Sequence, residues 1–193
     1  MPYLAQTDRE TIIQTAQRLI EQAGVDQLSL AQLAEALGIK APSLYRHVVG
    51  KTALLAAVNT LTGQQLFAAF DRALSAAPNE PAERLLAVFR AQREFAQANP
   101  HCYILLFTTT ETAERANEQL MEQLALPLEE LIGRLADSER ALDALRGALA
   151  LVHGFVMLEL HGQFRRGGDL EAAFEAATTA YLAGWSGRLS SHD

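Results

Sequence analysis

Apolar residues recur at helical spacing along almost the whole chain, and this periodicity is the feature that most constrains the fold. In the first such segment they recur at i, i+4, i+7, i+8 and i+11, from Ile12 to Ala23, and Gly24 follows. That spacing places them on one face of an amphipathic helix. The segment "HCYILLFTTT", residues 101–110, has the composition of a strand, but one strand without a partner is not stable. We expect a short helix or an irregular turn there, and an all-α fold of about nine helices.

Capping signals place the ends of the first three helices within about fifty residues. "TDRE", from Thr7 to Glu10, and "SLAQ", from Ser29 to Gln32, both have the form of a capping box. Pro42 suits the first residue of a third helix, because its missing N–H needs no partner there, and Gly50 should end that helix.

The later helices are longer and have weaker stop signals. A fourth begins near Thr52, a fifth runs from about Pro81 to Ala98, and Pro127 should kink or break a seventh. The last two helices are predicted at residues 138 to about 166 and 170 to about 189.

Charge is distributed unevenly along this acidic chain. Its formal net charge is −7, but residues 1–60 are neutral overall. No acidic residue occurs between Glu35 and Asp71, and both lysines, Lys40 and Lys51, fall in that gap. This pattern indicates one basic patch and argues against a protein that coats nucleic acid or a membrane with its whole surface.

Three short helices, the second and third joined at "LGIKAP", fit a helix-turn-helix, whose third helix enters the DNA major groove. At 100° per residue, the apolar side of the third helix carries Ala41, Leu44 and Val48. The polar side carries Pro42, Ser43, Arg46 and His47, and Tyr45 lies at the edge between the two sides. Arg46 has the forked donors that pair with guanine, and Lys51 suits a phosphate. The predicted DNA-contacting residues are Ser29, Gln32, Lys40, Ala41, Pro42, Ser43, Tyr45, Arg46, His47 and Lys51.

The segment "GVDQLSLAQLAEALGIKAPSLYRHVVGKTALL", residues 24–55, resembles the DNA-binding signature of the TetR family of bacterial repressors. The turn glycine, the proline, Leu-Tyr-x-His and the lysine all fall in register. Val48 stands where an aromatic residue is commoner, and Gly50 where Ser or Asn is usual. The resemblance implies a DNA-binding repressor and a homodimer built from the last two helices. "LVHGFVMLEL", residues 151–160, resembles the His-Gly motif of one C-terminal subfamily, although Leu149 stands where Trp is expected.

The C-terminal region is expected to dimerise and to bind a small effector. Residues 148–160 are apolar all round, so that helix must be covered on two sides, and a partner subunit is one possible cover. We expect an apolar or mixed-polarity molecule to bind between the fourth and eighth helices. The candidate effector-binding residues are Phe89, Phe95, His101, Cys102, Tyr103, Phe107, Met121, His153 and Met157. For His153, a place in the core or the dimer interface is favoured over ligand binding. For the cluster of His101, Cys102, Tyr103 and Phe107, simple packing and the lining of a ligand pocket are equally favoured.

Catalytic motifs are missing from the sequence. It contains no H-E-x-x-H, G-x-S-x-G or G-x-G-x-x-G motif and no Glu-x-x-His pair, and "GWSG", residues 184–187, has the wrong spacing for a nucleophile elbow. We therefore expect no enzyme, cofactor or metal site. The alternative is a helical ligand-binding or adaptor module without DNA-binding activity, against which Lys40, Arg46 and Lys51 argue.

Taken together, the signals predict a DNA-binding domain at residues 1–50 and an effector-binding and dimerisation domain at residues 51–193. Cys102 is the single cysteine, so no intrachain disulfide can form. The N-terminus lacks the pattern of a secretory signal, and His153 and Glu159 interrupt the most apolar window, which is short for a membrane span. We expect a cytoplasmic protein with operator DNA, a second copy of the chain and a small-molecule effector as its partners, and no membrane association.

Overall fold

The computed structural model describes residues 8–186, and within that range the chain consists of α-helices and short 3₁₀ turns without any strand. This confirms the predicted all-α fold. The α-helices of the described range are α1 (Arg9–Ala23), α2 (Leu30–Ala36), α3 (Ala41–Leu44), α4 (Lys51–Ala76), α5 (Pro81–Ala98), α6 (Pro100–Thr108), α7 (Glu118–Ala136), α8 (Ala141–Leu160) and α9 (Leu170–Ser186).

The capping signals of the first two helices have different outcomes. The box at α2 is confirmed: the N–H of Gln32 donates to the Ser29 hydroxyl at 3.2 Å, and the Ser29 N–H donates to the Gln32 side chain at 3.0 Å. For α1 the cap is Asp8, whose carboxylate accepts from the Thr11 N–H at 2.8 Å. The predicted cap, Thr7, is therefore wrong by one residue, and it lies outside the described residues.

The third helix is shorter than the predicted span from Pro42 to Gly50. It is α-helical only over Ala41–Leu44, after which the chain tightens into a turn. In that turn the N–H of Arg46 bonds to the carbonyl of Ser43 at 3.3 Å, three residues back. Gly50 then has a φ of +114°, a left-handed conformation that favours glycine and turns the chain into α4.

The later helices can be compared with their predicted ends and breaks. α8 ends at Leu160, short of the predicted residue 166, because Gly162 takes a φ of +61° and the Gln163 N–H closes a terminal loop onto the Leu158 carbonyl at 2.8 Å. α7 continues through Pro127 without ending. α6 confirms the helical choice for residues 101–108, and the predicted end of α9 near residue 189 lies outside the described range.

The chain divides into two compact units. The first comprises the chain up to Gln65 together with Asn99–Met121, and the second comprises Leu66–Ala98 together with the chain from Glu122 onward. The core of the first unit gathers apolar residues from α1 to α4 and from α6, including the fully buried Ile12, Leu33 and Leu44. The predicted functional division at residue 50 is a different kind of boundary, and it stays a prediction.

Two helical segments, Lys51–Ala76 and Ser138–Leu160, are long and apolar enough to cross a membrane by length and composition alone, a test that core helices of soluble proteins also pass. Only 28% of the apolar window in the second segment is buried. Within the single chain, α8 leaves Leu142, Leu149 and Leu158 each nearly half exposed, so the chain itself supplies only part of the cover that the sequence calls for.

Candidate nucleic-acid interface

The turn between α2 and α3 is built around Gly38. Its φ is +65°, and the N–H of the next residue, Ile39, bonds to the Ala34 carbonyl at 3.0 Å, which closes the end of α2. A residue with a side chain would be strained at this φ. The chain therefore reverses within a few residues and starts α3 directly after Lys40.

The buried face of α3 is the predicted one. Leu44 is fully buried and Val48 is 3% exposed, and both join the core of the first unit with Leu33 of α2. Ala41 packs against the same core while partly buried. This packing fixes the rotation of the helix about its axis, so the opposite face must point outward.

Most of the predicted DNA-contacting residues, on α3 and on the segments beside it, are exposed. Ser43 and Ala41 are partly buried, and the other eight are exposed: Ser29, Gln32, Lys40, Pro42, Tyr45, Arg46, His47 and Lys51. Asp8 is an acidic neighbour of the outer face of α3: the Thr11 N–H holds the pKa of Asp8 below its usual value, and the charge of His47 adds to that effect. The outer face of α3 thus presents cationic and neutral hydrogen-bonding groups, with the Asp8 carboxylate at its edge.

The N-terminus of α4 completes the surface. The Gly50 carbonyl accepts the N–H of Leu54 at 3.2 Å, so Gly50 occupies the N-cap position, where it has no side-chain oxygen to cap the first N–H groups of the helix. Lys51 places its Nζ 3.3 Å from the carbonyl oxygen of Val25, which holds the ammonium group beside the α1–α2 connection. A helix N-terminus with a lysine is a suitable site for a phosphate.

Two features of this surface were not predicted. Val49, in the turn before α4, is 95% exposed, and its position after the buried Val48 gave no signal of function. The hydroxyl of Thr52 lies 3.3 Å from a carboxylate oxygen of Glu114, a residue 62 positions away. No local pattern in a single sequence indicates a contact over that separation.

The nine candidate effector-binding residues are divided between the two units. The first unit holds His101, Cys102, Tyr103, Phe107 and Met121, and the second holds Phe89, Phe95, His153 and Met157. None of them lines the cavity beside α1 and α4, the cavity at residues 126–141 or the cavity at residues 163–173. Their role in effector binding stays a prediction.

The contacts of His101 and Cys102 serve to dock α6 on α1. The two carboxylate oxygens of Glu21 accept the N–H groups of His101 at 3.1 Å and Cys102 at 3.0 Å, which caps the N-terminus of α6. Burial and the adjacent Glu21 raise the pKa of the Cys102 thiol, so the thiol is neutral and packed in the core. For His153 on α8, partial burial lowers the pKa of the imidazole below its ordinary value of 6.5.

An ion-pair network that the sequence did not reveal fastens α5 to α8 and α9 in the second unit. Arg93, 8% exposed, binds Glu159 with two contacts of 2.8 Å and also contacts Glu171. Arg90 binds Glu175 in the same forked manner, at 2.6 and 2.5 Å. These hydrogen bonds raise the pKa of both guanidinium groups.

In the described part of the chain, no group of three His, Cys, Asp or Glu side chains lies close enough together to hold a metal ion. The first unit has the geometry of a helix-turn-helix. Its short helix α3 is oriented by the buried Leu44 and Val48, so that its other face is exposed, and it lies beside the N-terminus of α4, which carries Lys51. The fold and this surface define the class of helical DNA-binding regulators.

Comparisons with known proteins specify the family. The family described as bacterial regulatory proteins, tetR family, matches residues 12–58, and the one described as tetracyclin repressor-like, C-terminal domain, matches residues 85–181. The second match alone spans half of the chain. The protein therefore belongs to the TetR family of transcriptional regulators.

Individual relatives agree with this assignment. The uncharacterized HTH-type transcriptional regulator YobS of Bacillus subtilis is 29% identical over 179 residues, which cover 91% of each chain. Tetracycline repressor protein class D of Escherichia coli is 44% identical, but over only 55 residues, 28% of this chain and 25% of that protein.

Solved structures show the same fold. A protein of unknown function from Rhodococcus sp. RHA1 superposes with a TM-score of 0.78 at 25% identity, covering 96% of this chain and 99% of that one. A TetR variant from Acinetobacter baumannii AYE, in complex with minocycline, gives 0.71 at 24% identity, with 95% and 98% covered.

Proposed function

We propose that this TetR-family regulator is a cytoplasmic, ligand-responsive repressor that binds operator DNA as a homodimer and releases it when a small molecule binds the C-terminal bundle. The observation that carries the DNA-binding part is the rotation of α3. With Leu44 and Val48 buried, Arg46 and His47 are exposed on the outer face, beside the N-terminus of α4, whose N-cap residue is Gly50.

The residues of this surface have different roles in the proposal. Lys51 positions the protein, because it lies at a helix N-terminus where a phosphate is stabilised by N–H groups and by the helix dipole. Arg46 reads sequence, because its guanidinium lies on the groove-facing side and has no hydrogen bond or ion pair to any described residue. Ser43 contributes a weaker base or phosphate contact.

Lys51→Ala tests the positioning role. The variant should weaken operator and random duplex DNA about equally and should reduce the magnitude of the slope of log K against log salt by about one, because one phosphate contact is lost. Arg72→Ala, which removes an exposed cation from the far end of α4, is the matched control and should leave the slope unchanged. An unchanged slope in Lys51→Ala would show that Lys51 touches no phosphate.

Homodimerisation is proposed through α8 and α9. α8 leaves Leu142 and Leu149, which lie two turns apart on one side of the helix, nearly half exposed, and exposed apolar side chains on one side of a helix are typical of a protein interface. His153 shares that helix, one turn after Leu149, which favours the interface role for its imidazole. Family membership independently supports a two-fold dimer.

Light scattering at micromolar concentration tests the interface. The wild-type chain should have the mass of a dimer, and Leu149→Glu should shift it towards the monomer, because a charge would be buried against the partner. Leu126→Glu on α7 is the control, since Leu126 is also an exposed leucine but lies on neither α8 nor α9. A monomeric wild type, or two variants that behave alike, would contradict the proposal.

The effector part of the proposal has fold-level support only. One structure of the same fold was solved with minocycline, so a bundle of this architecture can hold a small molecule. A ligand can favour release only by binding the non-operator conformer more tightly, and linkage then requires operator DNA to weaken the ligand in equal measure. If the operator left the affinity of every identified ligand unchanged, the allosteric account would be wrong.

A mobility shift on genomic fragments tests the whole proposal. The dimer should retain a small set of fragments at salt concentrations that abolish binding to random DNA. A chain that shifts no fragment would instead be a helical ligand-binding or adaptor module.

A further inference from the structure

The first unit contains an open cleft that the proposed DNA contacts do not use. It lies between α1, the first half of α4 and residues 112–117, and we call it the α1–α4 cleft. Its volume is about 860 Å³, within the range of small-molecule sites. Its apolar lining residues include Ile13 of α1 and Ala56, Ala57 and Leu61 of α4.

Two arginines line the α1–α4 cleft. Arg9 makes no hydrogen bond or ion pair with any described residue, and Arg115 uses one terminal nitrogen to donate to the Thr110 carbonyl at 3.3 Å. Glu10, the acidic residue among the described lining residues, accepts a hydrogen bond from Gln14 at 3.0 Å. An apolar lining with guanidinium donors matches a molecule that has an apolar body and an anionic head.

The loop wall of the cleft is attached to α4. The side-chain amide of Asn59 donates to the Glu114 carbonyl at 2.8 Å and to the Thr109 hydroxyl at 3.1 Å. The N–H of Asn117 donates to the Thr60 hydroxyl at 3.0 Å. A molecule that moves residues 112–117 therefore acts on the helix that begins at the DNA-facing Lys51.

This attachment includes an unsatisfied polar atom. Asn59 is fully buried, and its carbonyl oxygen has no hydrogen-bond partner. A buried acceptor without a partner costs free energy, so the attachment of the loop to α4 is not fully satisfied in this conformation.

We propose that the α1–α4 cleft binds a small amphipathic organic anion, with its apolar body on the alanines of α4 and its carboxylate or sulfonate at Arg9 and Arg115. The site is separate from the proposed effector site in the C-terminal bundle, and the proposal goes beyond the repressor function. Through residues 112–117, whose Glu114 contacts Thr52 at the start of α4, occupancy changes the affinity for DNA.

A fluorescence titration of the full-length protein with 1-anilinonaphthalene-8-sulfonate tests the site. N-phenyl-1-naphthylamine, the same aromatic body without the sulfonate, is the matched neutral probe. In Arg9→Gln/Arg115→Gln the affinity for the sulfonate should fall about tenfold or more, since charge-assisted hydrogen bonds are lost, while that for the neutral probe should change less than about twofold.

Further variants separate charge from folding and from DNA contact. Arg9→Lys/Arg115→Lys should retain sulfonate binding within about threefold, and Arg134→Gln, which removes an exposed arginine of the second unit, should match the wild type. Sulfonate affinity that is unchanged in the double Gln variant overturns the proposal. So does a double Gln variant that loses DNA affinity without the probe and keeps its sulfonate affinity, because the arginines would then be phosphate contacts. Wild-type DNA binding is measured separately, so either failure leaves the repressor proposal standing.

Discussion

Arg46→Ala is the substitution that most sharply separates reading of sequence from general attraction to DNA. Arg46 is exposed and has no hydrogen bond or ion pair to any described residue, so its removal breaks no contact within the described chain. The free energy of unfolding should therefore change by less than about 0.5 kcal/mol. Any larger effect on DNA affinity belongs to the interface.

The expected loss follows from the geometry of a bidentate guanine contact. Such a contact contributes about 1 to 3 kcal/mol of discrimination, which corresponds to roughly fivefold to 150-fold in the dissociation constant. Random DNA offers the same phosphates but no matched base, so its affinity should fall much less. Preference at one base pair of each half-site should relax.

Fluorescence anisotropy with labelled operator and random duplexes, each at several salt concentrations, measures both quantities. Ser43→Ala should show a smaller version of the same pattern. If Arg46→Ala weakens operator and random DNA alike, Arg46 is a second phosphate contact. Base reading must then be assigned to Lys40, Ser43 or Gln32.

Three further substitutions test other parts of the structure. Glu114→Gln should raise operator affinity about two- to fivefold in anisotropy, because a carboxylate near the N-terminus of α4 repels a phosphate there; unchanged affinity would contradict this. Gly147→Ala should lower the free energy of unfolding in urea by about 1 to 3 kcal/mol, because the Tyr181 hydroxyl, which bonds to an α8 carbonyl at 2.6 Å, lies where the new methyl group would go. Burial lowers the pKa of His153, so the unfolded chain takes up this proton first as the pH falls below about 6.5, and stability is lost on acidification. Between pH 7 and pH 5 the wild type should therefore lose more stability than His153→Gln in urea titrations, and parallel losses would refute the assigned environment.

Local signals in the sequence predicted that the described chain is helical and which face of α3 is buried, although they misplaced the ends of α3 and α8. The Ser29–Gln32 box and the stop at Gly38 depend on residues only a few positions apart, so one sequence contains all the information that they require. The rotation of α3 likewise follows from Leu44 and Val48, which are one turn apart.

The parts that could not be predicted depend on distant pairs. Glu21 caps α6 from 80 residues away, and Arg93 pairs with Glu159 from 66 residues away. Nothing in the local pattern around Cys102 distinguishes a thiol that packs in a core from one that lines a pocket. α3 ends at Leu44, six residues before Gly50, and no stop signal in the sequence marks that earlier end.

Selection of DNA from a random-sequence pool by the full-length protein, followed by sequencing, tests the central claim most directly. The account predicts an inverted repeat whose half-sites are about 34 to 36 Å apart, one turn of DNA, or a multiple of that distance. It also predicts that Arg46→Ala/Lys51→Ala enriches the repeat much less and without preference at the base pair that Arg46 contacts in each half-site. Enrichment of the same repeat to the same extent by that double variant, or no enrichment by the wild-type protein, would contradict the claim that this surface reads an operator.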